Sequence, residues 1–140
     1  MNILTPFEYF APETLDEALE LLATKENAKV LAGGTDLMIQ LKEKMIHPAN
    51  VIDVTHIPEL QEFKVEDGKG AVLGAATTDA FIEFSEEMKA KYPALAYAAG
   101  EIGGPQVREM GTIGGNLANS GPSAETPASL ICYGAEVVLA

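Results

Sequence analysis

The chain has 140 residues, 47% of them apolar, so it can bury a core of its own, and disorder is not expected. Nine basic against 21 acidic residues give a net charge of −12, which repels phosphate backbones and anionic lipid and argues against nucleic-acid or membrane-surface partners. No run reaches the ~18 continuous apolar residues of a membrane span, and the start Met-Asn-Ile-Leu-Thr-Pro lacks the basic and apolar regions of a signal peptide, so a soluble, cytoplasmic protein is expected.

From Thr14 to Thr24 the apolar residues Leu15, Ala18, Leu19, Leu21 and Leu22 recur at helical spacing, and Thr14 with Glu17 forms a capping box after Pro12. Residues 28–32 read as a short strand ended by Gly33-Gly34, after which Asp36 opens a second helix through Leu37 and Lys42. Asn50 to Val54 is a further strand, and Phe63–Glu66 and Ala71–Ala75 form a hairpin about Asp67-Gly68-Lys69-Gly70. One helix is expected over Thr78–Met88, with Glu83, Glu86 and Glu87 on its solvated side, and another over Pro93–Ile102, stopped by Gly103-Gly104-Pro105. Six glycines then fall within the 19 residues from Gly103 to Gly121, a backbone suited to close approach. A helix over Thr126–Tyr133, with a buried Cys132, and an apolar strand from Ala135 to Ala140 complete the chain.

Two glycine pairs carry the chemistry. In Ala32-Gly33-Gly34-Thr35-Asp36 a strand turns into a helix, so backbone N–H groups can point at an anion such as a pyrophosphate, although an ordinary turn has the same pattern. Thr112-Ile113-Gly114-Gly115-Asn116-Leu117 repeats the plan, and two separated nests suggest one elongated ligand. Neither pair matches Gly-x-Gly-x-x-Gly or Gly-x-x-x-x-Gly-Lys-Ser/Thr, which disfavours a Rossmann fold and a nucleotide triphosphatase. His47 and His56 lack companions for a metal site, and no metal role is assigned. Asp36 reads as a helix cap, a cofactor ligand or both, and Arg108 as a phosphate contact or a surface charge beside Glu109.

The sequence resembles the FAD-binding subunits or domains of molybdenum hydroxylases, the family of xanthine, carbon monoxide and nicotinate dehydrogenases. The likeness rests on Phe7-Glu8-Tyr9-Phe10-Ala11-Pro12, on Val30-Leu31-Ala32-Gly33-Gly34-Thr35-Asp36-Leu37, and on Gln106-Val107-Arg108 leading to Gly111-Thr112-Ile113-Gly114-Gly115-Asn116. It implies an α+β fold of the PCMH type, with a small amino-terminal α/β lobe over residues 1–56 and, over residues 57–140, part of a larger lobe with a mixed or antiparallel sheet and helices. The carboxy-terminal domain of the family is expected to be absent.

FAD would lie non-covalently between the lobes, since the first loop carries Thr35 where covalent relatives carry histidine. The resemblance places Leu31, Ala32, Gly33, Gly34, Thr35 and Asp36 on the pyrophosphate, with Lys29 and Val30 towards the adenosine. Thr112, Ile113, Gly114, Gly115 and Asn116 would meet the phosphates and ribityl chain, Ile102 would pack near the flavin, and Glu125 would accept from a cofactor hydroxyl where relatives carry aspartate. No residue of the chain itself is expected to be catalytic. The molybdopterin cofactor and 2Fe–2S clusters belong to partner subunits, and electrons would leave through FAD to NAD(P) or another acceptor. A non-catalytic assembly module of the same fold is the alternative.

Overall fold

A computed structural model describes residues 4–140. The first three residues, part of the stretch read as lacking a signal peptide, lie outside the described residues. Among the described residues no helix is long and apolar enough to cross a membrane.

The opening motif contains an element that alternation does not announce: Glu8–Phe10 is a strand, β1, whose three residues are too few to set up a period. Next come α1 (Leu15–Thr24), β2 (Ala28–Leu31), α2 (Leu37–Lys42) and β3 (Asn50–Asp53). The three strands form one parallel sheet in the order β1-β3-β2, so β3, with all four residues buried, is central. The central strand of a parallel sheet is covered by packed elements on its faces, with Ile52 against Ala18 of α1, and Asn50-Val51-Ile52-Asp53 is more apolar at its centre than at its ends. The Tyr9 hydroxyl donates to Asp53 Oδ2 at 2.6 Å and ties β1 to the carboxyl end of β3.

Thr14 caps α1 by accepting from Glu17 N at 3.2 Å, a bond of the kind that contributes about 1 kcal/mol. The reciprocal bond of the box is displaced by one residue, because the Glu17 carboxylate accepts from Glu13 N. Ala18 of α1 packs with Ile52, Val54 and Ile57 in a core that Phe10, Leu15, Leu21 and Leu60 extend. This first core therefore runs past residue 56 into the 3₁₀ turn Pro58–Gln61.

Beyond it, β4 (Phe63–Glu66) and β5 (Gly70–Leu73) make the expected antiparallel hairpin. Its inner face covers a second core of Ile82, Met88, Leu95, Ala96, Ala99 and Ile113. The helices here differ from expectation in two places. Thr78–Met88 is not one helix but two, α3 (Asp79–Phe84) and α4 (Glu86–Lys91), because Ser85 turns extended and its hydroxyl accepts from Met88 N. Serine followed by two glutamates is a helix start, and it overrides the continuing apolar period.

After α5 (Pro93–Gly100), the glycine-rich stretch is largely helical rather than open, forming α6 (Pro105–Met110) and α7 (Ile113–Asn119). The last helix is α8 (Thr126–Cys132), which packs through Thr126, Ser129 and Leu130 and leaves Cys132 exposed rather than buried. Residues 135–140 form no strand and are exposed, since no described strand lies beside them to pair their backbone.

Candidate functional site

The two glycine pairs come together, and backbone contact joins them. A Cβ on Gly33 would overlap the carbonyl of Met110 and crowd Gly111, so only glycine lets the loop after β2 lie against the α6–α7 junction. Gly34 follows with φ +72°, the left-handed conformation that turns the chain into α2. Between these constraints the backbone N–H groups of Gly33, Gly34, Thr35 and Asp36 find no acceptor among the described residues. Asp36 does not cap α2: its backbone is helical and its exposed side chain makes no capping bond, so the cap reading is corrected. A capping side chain needs an extended residue, and Gly34 has already placed Asp36 within the turn.

The second pair is built differently. Thr112 is extended, its hydroxyl accepts from Gly115 N at 3.0 Å, and its carbonyl accepts from Asn116 N at 2.9 Å. Ile113 N donates to Thr77 O and Gly114 N to Ala75 O, both at 3.0 Å. Every backbone donor from Ile113 to Asn116 is thus engaged inside the protein. Gly114 is required by the fold, because a Cβ there would stand 2.6 Å from Ala75 Cβ and O. Gly115 is not hemmed in to the same degree, since a Cβ would meet only Thr112 Oγ1, at 3.0 Å.

What the second segment offers is side-chain chemistry. Thr126 Oγ1 donates to Asn116 Oδ1 at 2.6 Å, which orients the amide so that its Nδ2 points to Glu125 Oε2 at 3.4 Å. Glu125, partly exposed just before α8, therefore keeps acceptor capacity for a ligand hydroxyl.

Between the pairs lies a cleft of about 910 Å³, at the upper end of what small-molecule sites use. All the residues that the resemblance implies line it except Leu31 and Ile113. Ile113 turns inward, 4% exposed, into the second core, and Leu31 packs under Gly34. Both side chains pack within the protein, and the Ile113 N–H is engaged by Thr77 O.

The cleft also has walls that the motifs did not reveal. Leu19 and Leu22 of α1, Ile39 of α2 and Val30 of β2, 36–57% exposed, line it together with Lys29. The signal was present in α1, whose apolar residues cover more of the helix than one buried stripe requires. Asp79 at the start of α3 is a second lining residue without a motif. It is 1% exposed, and burial pushes its carboxyl up to about 6, with the Glu125 charge adding to the rise and Arg108 opposing it.

Arg108 is neither a phosphate contact nor a surface charge. Its Nε donates to Glu83 Oε2 at 2.7 Å and its Nη1 to the carbonyls of Ile102 and Gly103, both at 3.1 Å. The pair is 12% and 21% exposed at the side chains, so Glu83 is likewise not on a solvated face. An arginine that satisfies the carbonyls at the end of one helix from within the next fixes Ile102 on the cleft wall.

A cleft between a parallel three-stranded sheet and a helical layer, walled by one open and one closed glycine segment, defines an α+β protein of the PCMH type. The chain belongs to the family described as the FAD-binding domain in molybdopterin dehydrogenase, whose model matches residues 5–140. It is 41% identical over 134 residues to the carbon monoxide dehydrogenase medium chain of Hydrogenophaga pseudoflava, covering 95% of this chain and 46% of that one. It is 38% identical over 135 residues to the nicotinate dehydrogenase FAD-subunit of Eubacterium barkeri, covering 95% and 45%.

Among solved structures, carbon monoxide dehydrogenase from Hydrogenophaga pseudoflava lacking the Mo-pyranopterin moiety of the molybdenum cofactor matches with a TM-score of 0.85 at 41% identity, over 90% of this chain and 44% of that chain. Quinoline 2-oxidoreductase from Pseudomonas putida 86 matches with a TM-score of 0.84 at 29% identity, over 89% and 44%. The chain spans about half the length of the relatives it matches.

Proposed function

We propose that this chain holds FAD non-covalently in the cleft and serves as the flavin-bearing part of a molybdopterin-dependent hydroxylase or dehydrogenase. The observation that carries this is that Gly33, Gly34, Thr35 and Asp36 line the cleft while their N–H groups have no partner among the described residues. Four consecutive backbone donors without an internal partner suit an anionic diphosphate, and the fit is supported by Gly115 on the same cleft, where a Cβ would meet only Thr112 Oγ1 and where most of the space is open. The exposed apolar residues Leu19, Leu22, Val30 and Ile39 suit the planar adenine, with Lys29 at its edge. Glu125, steadied by Asn116, suits a ribityl or ribose hydroxyl, and Ile102 suits the flavin.

Bound FAD supplies two-electron redox chemistry, while the chain's own residues place it and keep its surroundings dry. In this reading iron–sulfur and molybdopterin subunits are the partners, electrons arrive through 2Fe–2S clusters, and NAD(P) or another acceptor takes them away.

FAD titration of this chain and of its Gly115→Ala variant, followed by quenching of flavin fluorescence and by thermal unfolding, tests the assignment. The parent binds one FAD per chain. The variant keeps its stability within about 1 kcal/mol, because alanine favours a helix and only Thr112 Oγ1 has to give way, yet it loses FAD affinity by about tenfold or more. A parent chain that takes up no FAD contradicts the proposal and favours an assembly module.

A further inference from the structure

Among the described residues of the cleft wall, Asp79 is the one buried charged side chain, and its carboxyl accepts no hydrogen bond from the protein. Its N–H donates to Gly111 O at 3.0 Å, and its Oδ2 lies where a Cβ on Gly111 would approach to 2.5 Å. Its Oδ1 is buried with no hydrogen-bond partner among the described residues. A carboxylate oxygen in that position lacks both water and donors, which penalises the charged form and leaves the neutral acid little affected.

The surroundings offer little relief. Arg108 from α6 is committed to Glu83 and two carbonyls, while Glu125, from the segment before α8, adds negative charge. Residues 93–100 of α5 carry no charge, and Glu86 and Lys89 of α4 pair with each other at the surface. Across the cleft the first loop and its strand contribute Asp36 and Lys29. The wall therefore holds three acids against one lysine, and a diphosphate would bring two further negative charges.

We infer that the dinucleotide enters this cleft together with a proton, and that Asp79 is the residue that holds it. The inference rests on the FAD reading above. The approaching diphosphate disfavours the Asp79 anion further, so its carboxyl, which burial already places at about 6, takes up a proton as the ligand binds. Well below the pKa of the free chain Asp79 is neutral before binding and nothing is taken up. Above that value the free chain is ionised, and affinity falls as pH rises, at a limiting slope of about tenfold per pH unit for one proton. Asp79 acts through the electrostatics of the cleft and is a positioning residue, not a catalytic one.

Calorimetric titration of FAD into the chain at pH 7, in phosphate and in Tris, reads the proton directly, because the two buffers differ in heat of ionisation. Fluorescence titrations between pH 5.5 and 8.5 give the affinity profile. The parent takes up a fraction of a proton per FAD, and its Kd rises by about tenfold or more across that range. Asp79→Asn gives equal heats in both buffers, a flat profile, and tighter binding than the parent at pH 8. Asp79→Ser serves in its place if the asparagine does not fold.

FAD binding by the parent with equal heats in both buffers and a flat pH profile overturns this inference and leaves the FAD reading standing. Proton uptake that persists in the Asp79 variants also overturns it. A parent that binds no FAD at any pH overturns both.

Discussion

The two glycine segments have the same dipeptide and nearly the same flanking pattern, yet they do opposite things with their backbone. Around Gly33-Gly34 four consecutive N–H groups lack a partner among the described residues, whereas from Ile113 to Asn116 all four are engaged by Thr77, Ala75 and Thr112. The first segment is open because Gly34, at φ +72°, carries the chain out of the ladder before α2 can begin. The second is closed because an extended threonine precedes it and caps α7 directly. Glycine is needed for backbone contact at Gly33 and Gly114 and for a positive φ at Gly34, whereas at Gly115 a Cβ would meet only Thr112 Oγ1. A motif match therefore does not say whether a glycine loop donates to a ligand or merely lets one pass close by.

The comparison is broken most forcefully at Gly33. Alanine there collides with the Met110 backbone, which cannot rotate away as a side chain could, so the loop must leave the α6–α7 junction. Gly33→Ala is expected to cost more than about 3 kcal/mol, above the usual range for overpacking, and to lower FAD affinity at least about a hundredfold. Chemical unfolding and flavin fluorescence measure the two effects, and a variant of parental stability would show that the two segments do not touch.

Arg108→Ala tests the closed side alone. Removing the guanidinium strands the Glu83 carboxylate and the carbonyls of Ile102 and Gly103, for an expected loss of about 2–3 kcal/mol, below the range for a fully buried pair because both side chains keep some exposure. Arg108→Lys recovers only part, since one ammonium cannot match the fork of three bonds. The first loop makes no contact with Arg108 through any of those bonds, so FAD affinity should fall by much less than in Gly33→Ala. The Gly115→Ala variant stands at the small end for stability, within about 1 kcal/mol, and separates ligand space from fold.

Much of the architecture was legible in the sequence because its signals are local. The period of Leu15 to Leu22, the threonine cap at Thr14 and the turn Asp67-Gly68-Lys69-Gly70 each act within a few residues. The split at Ser85 was local too, but there two signals competed and the cap won. The resemblance names residues that line the cleft, Ile102 and Glu125 among them, but not Leu19, Leu22, Ile39 or Asp79.

What was not legible depends on distant partners. Nothing near Arg108 in the chain announces Glu83, 25 residues away, and nothing near Gly114 announces the Ala75 carbonyl that takes up its N–H. Asp79 reads as an ordinary first-turn acid of α3 until Gly111 and Glu125 are packed around it. Cys132 reads as buried from its neighbours, and only the orientation of α8 places it outside.

Amide hydrogen exchange, followed by NMR on the labelled chain with and without FAD, tests the division of labour between the two segments most directly. The amides of Gly33 to Asp36 are expected to exchange freely in the free chain and to gain strong protection with FAD, while those of Ile113 to Asn116 are protected in both states. Protection gained at Ile113 to Asn116 with none at Gly33 to Asp36 would contradict that division.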